Sequence, residues 1–155
     1  MAISTATMTI TITESVDMNN TAGGGTVGDT VTSIAETVTV NDIFKRVITC
    51  PTSEIVLYLT HASVPQGYVL DKDLVKYVRI TNHDSSNFVT LRVTDGNNDE
   101  FAYKLAAGQS FILWGHAASM SAADAATAGA VNADIASIEA QADTAECDLE
   151  VVVAS

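Results

Sequence analysis

The sequence is poor in positive charge, and this shortage limits the partners that the protein can bind. Seven Lys and Arg residues stand against 19 Asp and Glu residues, giving a formal net charge of −12. Nucleic-acid-binding proteins present clustered basic side chains to phosphates, and anionic membrane surfaces attract basic segments. Neither nucleic acid nor a membrane surface is therefore an expected partner.

Charged residues of both signs, long apolar runs and export signals are also scarce. Charged residues make up 17% of the chain, against roughly 25% in an ordinary soluble domain, so we expect partners to cover part of the surface. No run approaches the roughly 20 apolar residues that cross a bilayer. The segment from Met1 to Met8 lacks the basic and apolar regions of a signal peptide, and none is predicted.

Cysteine and metal-ligand patterns are nearly absent. Cys50 and Cys147 lie far apart in β-like runs, unlike a disulfide framework or a zinc-binding pair. We expect buried free thiols made in a reducing cytoplasm, and the sequence leaves open whether they pair, because geometry decides this. His61 and His116 stand alone. No His or Cys pair has zinc-site spacing, so no metal ligand is predicted.

Alternating apolar and polar residues, with the period of β-strands, supply most of the remaining pattern. The sequence predicts a strand over Met8 to Val16, a β-branched run over Thr30 to Val40, and further strands over Phe44 to Thr49 and Glu54 to Thr60. In the last of these, Ile55, Leu57 and Leu59 fall on one side.

The middle of the chain predicts a hairpin between Val75 to Asn82 and Asn87 to Thr94. A four-residue loop would set Ile80 opposite Val89 and Val78 opposite Leu91, sorting apolar and polar residues onto separate faces. Strands over Phe101 to Ala106 and Ser110 to Trp114 would extend it into a meander of about four strands.

The C-terminal part predicts an alanine-rich segment followed by a last hairpin. Gly115 to Ala133 permits either a short helix or a loop. Asp134 to Ala142 and Cys147 to Ser155 would form the hairpin. About eight short strands joined by Gly, Asn and Asp turns predict an all-β fold, a single β-sandwich over residues 1–155 with jelly-roll-like connections and residues 1–7 as an extended N-terminal arm.

A glycine-rich segment imitates a nucleotide-binding motif. Gly23 to Gly28 fits G-x-G-x-x-G and nearly continues into a P-loop. Asp29 occupies the lysine position, where it would repel phosphate, and a β-branched run follows where a helix should bind the anion. The segment is interpreted as a turn, and no cofactor is predicted.

A second segment, DGNNDE, imitates half of a calcium loop. Asp95, Asn97 and Asp99 have its alternate-oxygen spacing, but Glu100 replaces the required glycine and Ala106 the bidentate glutamate. A hairpin turn is favoured, and a weak cation site stays open.

Catalytic patterns are incomplete, and the protein is not expected to be an enzyme. His83, Asp84 and Ser85 are adjacent in sequence, whereas triad members converge from separate elements, so a polar turn is predicted. Gly108 to Ile112 lacks the closing glycine of a nucleophile elbow. We therefore assign no catalytic residues.

Three aromatic residues leave a sugar-binding interpretation open. Trp114, Phe111 and Tyr103 could form a platform for sugar rings. Strand aromatics more often pack a core, and the sequence does not separate the two.

Three runs resemble small β-rich structural proteins of tailed bacteriophages: MTITITESV, VKYVRITNHDSSNFVTLRV and FAYKLAAGQSFIL. Such proteins serve as capsid decoration or cement proteins, head-completion proteins or tail components, and the resemblance carries over no functional residues. It implies a virion protein assembled in the host bacterial cytoplasm.

We expect a decoration protein on the outer capsid shell that contacts the major capsid protein or other virion proteins as a homo-oligomer, for which a trimer is one option. The alternatives are a neck or tail component, such as a tube or adaptor protein, and a carbohydrate-binding accessory module.

Overall fold

The computed structural model describes residues 6–18, 27–61, 70–71, 75–114, 119–120 and 133–155. All its regular elements are strands: β1 (Ala6–Met18), β2 (Val27–Val40), β3 (Ile43–Cys50), β4 (Ile55–His61), β5 (Leu70–Asp71), β6 (Tyr77–Asn82), β7 (Val89–Asp95), β8 (Glu100–Leu105), β9 (Ser110–Trp114), β10 (Ser119–Met120), β11 (Ala133–Ala142) and β12 (Cys147–Ala154). The predicted all-β class is confirmed.

The chain divides into two compact units, Met1–Asn41 and Asp42–Ser155. In the first unit, β1 and β2 form a two-stranded antiparallel ribbon, and among the described residues neither pairs with another strand. The sandwich predicted over residues 1–155 draws all its strands from the second unit. Of the predicted N-terminal arm, Ala6 and Thr7 belong to β1, and residues 1–5 lie outside the described residues.

Two sheets build the second unit. The first sheet has the order β3-β12-β6-β9, and the second has the order β5-β4-β11-β7-β8, with β10 added beside β11. Every pairing is antiparallel except the short parallel contact of β5 with β4. The sequence pattern did not predict β5, which lies within a turn-rich segment.

The chain changes sheet from β5 to β6 and from β9 to β10 through segments that include residues outside the description. It also changes sheet at four crossings that are described throughout: β3 to β4, β6 to β7, β8 to β9 and β11 to β12. Written in parallel, the orders β3-β12-β6-β9 and β4-β11-β7-β8 place the strands joined by each crossing at the same position in the two sheets. Each of these four crossings therefore connects corresponding places on the two sides of the sandwich.

These crossings correct the predicted hairpins and meander. The strands around Ile80 and Val89 exist, but Ile80 pairs with Val151 and Phe111, whereas Val89 pairs with Ala142 and Leu105. The last two strands likewise lie in different sheets. Of the predicted meander, only the β7–β8 pairing is present. Alternation places the same residues inward in a hairpin and in a crossing, so the period-two pattern does not distinguish them.

One hydrophobic core lies between the sheets. From the first sheet, Ile80, Leu149 and Val151 are fully buried, and Leu91 and Ile138 are fully buried from the second. Val78, Val89 and Val93 belong to the same cluster. The predicted buried face is confirmed, although its members meet across the sandwich and not within one hairpin.

The ribbon has two dissimilar faces. Thr7, Thr9, Thr11 and Thr13 alternate along β1 and are exposed, whereas the intervening Met8 and Ile12 are half-buried and Ile10 is buried. Cross-strand pairs extend the exposed face onto β2, with Thr9 opposite Thr37. The strand predicted at Met8 to Val16 is confirmed, and so is the β-branched strand after it.

Candidate functional site

An open cleft at one end of the sandwich gathers polar residues from three parts of the chain. It has a volume of about 520 Å³ and is lined by Thr49, His83, Asp84, Ser85, Glu146 and Asp148. The β6–β7 crossing supplies three of these residues, the β11–β12 crossing supplies Glu146, and β3 and β12 supply the other two. The order β3-β12-β6 makes these segments neighbours.

The Asp84 side chain organises the β6–β7 crossing. Its Oδ1 accepts hydrogen bonds from the backbone N–H groups of Ser86 at 2.7 Å and Asn87 at 2.6 Å. Such bonds close a local turn without a strand partner. They favour the charged carboxylate, so the pKa of Asp84 lies below its ordinary value. The predicted polar turn at His83 to Ser85 is confirmed.

Asn82 joins this crossing to the neighbouring one. Its buried Nδ2 donates to the carbonyl oxygens of Asn87 at 2.9 Å and Leu105 at 3.4 Å, and its Oδ1 accepts from the Asp84 N–H. The Asn82 backbone exchanges hydrogen bonds with the β8–β9 turn, to Gln109 and from Gly108. One asparagine thus joins the β6–β7 crossing to the β8–β9 crossing.

The cleft is negatively charged. Asp84, Glu146 and Asp148 contribute carboxylates, and among the described lining residues His83 alone has a side chain that can carry a positive charge. The Thr49 hydroxyl donates a hydrogen bond to Oδ1 of Asp148 at 2.9 Å. The backbone carbonyl of Asp148 accepts a hydrogen bond from the backbone N–H of His83. No group of three or more His, Cys, Asp or Glu side chains able to hold a metal occurs within the described part of the chain. The cleft favours cations over anions, as a diffuse field.

The DGNNDE segment forms the β7–β8 turn. Asp95 is buried, and its Oδ1 accepts the backbone N–H groups of Asn97 and Asp99, both at 2.8 Å. Asn98 adopts a left-handed φ of 66°, which asparagine tolerates better than most residues. The predicted turn is confirmed, with Oδ1 of Asp95 engaged by the backbone.

The other residues that the sequence singled out either belong to strands or lie outside the described residues. Gly23 to Thr26 are not among the described residues, and Val27 and Gly28 begin strand β2, so a strand follows the glycine-rich segment as predicted. Ser110 opens β9 and shares a hydrogen bond of 2.8 Å with the Thr81 hydroxyl. His116 and most of Gly115 to Ala133 lie outside the described residues.

Two of the three aromatic candidates are in contact. The Tyr103 and Phe111 ring centroids are 5.1 Å apart at 43°, a tilted arrangement typical of packed aromatic pairs. Phe111 packs against the core, and Tyr103 is 40% exposed. Trp114 pairs with Tyr77 at the end of β9, but its side chain lies outside the description.

Ion pairs lie on the outer surface of each sheet. On the second sheet, Arg92 donates to Glu54 through Nε at 3.0 Å and Nη2 at 2.6 Å, and to Glu100 through Nη1 at 2.6 Å. On the first sheet, Glu150 pairs with Arg79 and with Lys45. Hydrogen bonds from these two cations lower the pKa of Glu150. The Glu150 pairs join β12 to β3 and β6, and the Arg92 pairs join β7 to β8 and to the segment before β4, which indicates a structural role.

The chain matches no known protein family, no curated protein and no solved structure. Among the described residues, no helix is long and apolar enough to cross a membrane.

Sequence reasoning missed the cleft because its parts are remote along the chain. Thr49, Glu146 and Asp148 have no common spacing or motif. They become neighbours only through the insertion of β12 between β3 and β6. The sequence indicates a turn at His83 to Asn87, but it does not indicate that this turn lies beside the β11–β12 crossing.

Proposed function

We propose that this protein is a non-catalytic structural component of a bacteriophage virion, a decoration protein on the outside of the capsid shell. The observation that carries the proposal is the β1–β2 ribbon, a unit whose described residues form two long strands that pair with no further described strand. Two-stranded ribbons are at best marginally stable in water, and packing or a further strand stabilises them. The outer edges of β1 and β2 therefore suit attachment to a partner by strand addition.

The connectivity of the second unit supports the same proposal. We infer a jelly roll, because eight strands lie in the orders β3-β12-β6-β9 and β4-β11-β7-β8, and four of the connections among them cross between corresponding positions. Jelly rolls form viral capsid domains, and they also form lectin domains and cupins. Fold alone does not select among these functions. The ribbon and the charge distribution are the features that favour the capsid.

The charge of the protein favours the outer surface of the shell. A net charge of −12 keeps the exposed surface soluble and disfavours contact with packaged DNA. Attachment through several weak ribbon contacts in a homo-oligomer, such as a trimer at a local three-fold axis, would be strengthened by effective concentration. The expected partner is the major capsid protein.

The copy number per particle tests this assignment. Quantitative mass spectrometry of purified particles should find this protein in amounts comparable to the major capsid protein. About 6 to 12 copies, as cyclic symmetry at a neck would give, or a stack along the tail would replace the decoration assignment with the neck or tail alternative. Selective glycan binding on an array together with absence from particles would favour the carbohydrate-binding alternative.

The attachment element is tested by charge substitutions on the exposed ribbon face. T9K and T11K should reduce binding of purified protein to particles that lack it. Each places a lysine on the exposed ribbon face, and charged side chains on an edge strand oppose the addition of another strand. The matched control, S53K, lies in an exposed turn of the second unit. Equal binding by all three variants, with unchanged circular dichroism, would reject the ribbon as the attachment element.

A further inference from the structure

Strand register places the two cysteines directly opposite each other. Cys50 ends β3 and Cys147 begins β12, and the two are Cα partners in an antiparallel pairing that runs without a register shift. Both thiols are unbonded, and both residues are buried, at 0% and 1% exposure. Most of the second unit separates the two cysteines along the chain, but in the sheet they lie directly opposite each other on adjacent strands.

The hydrogen-bond pattern sets the spacing of this pair. Asp42 and Ser155 exchange both backbone hydrogen bonds, each at 3.0 Å, so they form a hydrogen-bonded pair in the same register. Hydrogen-bonded and non-hydrogen-bonded pairs alternate, and an even number of steps leads to Cys50 and Cys147. Their Cα atoms are therefore about 5.5 Å apart, inside the roughly 4.4–6.8 Å range of disulfides.

The two sulfur atoms also lie toward the same end of the sandwich. Cys50 Sγ donates to the Pro51 carbonyl at 3.6 Å, and Cys147 Sγ donates to the Ala145 carbonyl at 3.5 Å. Opposed residues of an antiparallel pair share one face of the sheet. Opposed Cβ atoms of a hydrogen-bonded pair are about 5.5 Å apart, against about 3.5–4.5 Å in a disulfide. Closing the bond therefore needs rotation about each Cα–Cβ bond together with an approach of the two strand ends by about 1 Å.

We propose that Cys50 and Cys147 form an intramolecular disulfide when the folded protein meets a low-molecular-weight disulfide such as oxidised glutathione. One thiolate attacks a sulfur of the reagent, forming a mixed disulfide and releasing one glutathione thiolate. The second protein thiolate attacks the protein-bound sulfur and displaces the other glutathione. The protein loses two thiol hydrogens, and the reagent is reduced to two glutathione thiols. This step does not depend on the proposed virion function.

The surroundings of the pair slow the oxidation of both thiols. Burial raises the pKa of both thiols, and the nearby carboxylates of Asp84, Asp148 and Asp143 raise that of Cys147 further. Thiolate is the reactive form, so spontaneous exchange is slow at neutral pH. The segments next to the pair, residues 52–54 and 143–146, are exposed, and local opening of these segments would give the reagent access to the buried thiols.

The disulfide would join the edge strand β3 to the interior strand β12. The ring would enclose most of the second unit, and cross-links that close long loops restrict the unfolded chain most. Oxidation should therefore raise the melting temperature by more than about 5 °C.

The test incubates the folded full-length protein with oxidised glutathione at pH 8.5 and then measures intact mass, thiol titre in denaturant and melting temperature. We expect a mass loss of two hydrogens, no titratable thiol, a Cys50–Cys147 linked peptide and a higher melting temperature. Persistent thiols under conditions that oxidise the denatured protein, a stable glutathione adduct, or an intermolecular dimer would each overturn the proposal.

The single variants C50S and C147S are the matched controls. Each keeps one thiol and cannot close the ring, so the reagent should leave its melting temperature unchanged. An equal rise in these variants would show that the ring is not the source of stabilisation. If a variant does not fold, the linked peptide and thiol titre of the unsubstituted protein still decide the proposal.

Discussion

At the scale of single residues, Leu91 tests the packing between the two sheets. It is completely buried in the core cluster. Leu91→Ala should lower the free energy of unfolding by about 2–5 kcal/mol, because it removes apolar contacts and leaves a cavity. Urea denaturation measures this change. The control Val56→Ala, at a position 57% exposed on β4 of the same sheet, should change stability by less than about 0.5 kcal/mol, and equal effects would contradict the assigned faces.

Substitution of Asn82 tests the hydrogen bonds that connect the β6–β7 and β8–β9 crossings. Asn82→Ala removes the amide that satisfies the Asn87 and Leu105 carbonyl oxygens and the Asp84 N–H. Buried groups that lose their partners cost about 1–3 kcal/mol each, so a total loss of about 2–4 kcal/mol is expected in thermal or urea unfolding. Asn97→Ala, at an exposed turn position, is the control. A smaller loss of stability for Asn82→Ala than for Asn97→Ala would show that the Asn82 side chain does not stabilise these crossings.

Glu150 gives the stability a defined pH dependence. Lys45 and Arg79 hold its pKa below the ordinary value of 4.5. A carboxylate whose pKa is lower in the folded state than in the unfolded state stabilises the folded protein. This stabilisation is complete at pH values above the unfolded-state pKa, and it is lost as the pH falls through the folded-state pKa. The difference in unfolding free energy between the protein and Glu150→Gln should therefore be constant from pH 6 to 7 and shrink below pH 4.5. A difference that is independent of pH would contradict these ion pairs.

At the scale of elements, interior and edge strands should differ in amide hydrogen exchange. Strand β12 pairs on both sides, with β3 and β6, whereas β8 pairs only with β7 among the described strands. Amide groups bonded within a core sheet exchange only through large opening events. Exchange followed by mass spectrometry should therefore be slowest in β12 and faster on the outer edge of β8. Equal protection would contradict the strand order.

The strands themselves were largely predictable, whereas their partners were not. Alternation located β9 at the predicted bounds, Ser110 to Trp114, and located β3, β6, β7 and β8 to within a few residues. It also identified Ile80 and Leu91 as core residues. The pairing failed because residues 83–86 form a short polar turn, which suits a hairpin and a sheet crossing equally well. Asp84 closes the turn through local hydrogen bonds, and Asn82 connects it to the β8–β9 crossing through tertiary hydrogen bonds.

At the scale of the whole molecule, the glycine-rich segment should not confer nucleotide binding. Asp29 replaces the phosphate-binding cation, the strand β2 follows in place of a helix, and the net charge is −12. ATP, GTP and NAD at millimolar concentration should leave the melting temperature unchanged, because only preferential binding to the folded state raises it. A saturable upward shift would contradict this expectation, and bovine serum albumin scanned with the same ligands controls for their effect on the assay.

The sequence by itself determined the all-β class, the inward residues and the turn at Asp95 to Asp99, since alternation and turn chemistry act over neighbouring residues. Only the tertiary structure decided which strands are neighbours, because pairing depends on contacts between segments remote along the chain. The insertion of β12 between β3 and β6 set Cys147 opposite Cys50 and placed Glu146 and Asp148 beside His83. Both the thiol pair and the acidic cleft result from that one placement, which no local pattern encodes.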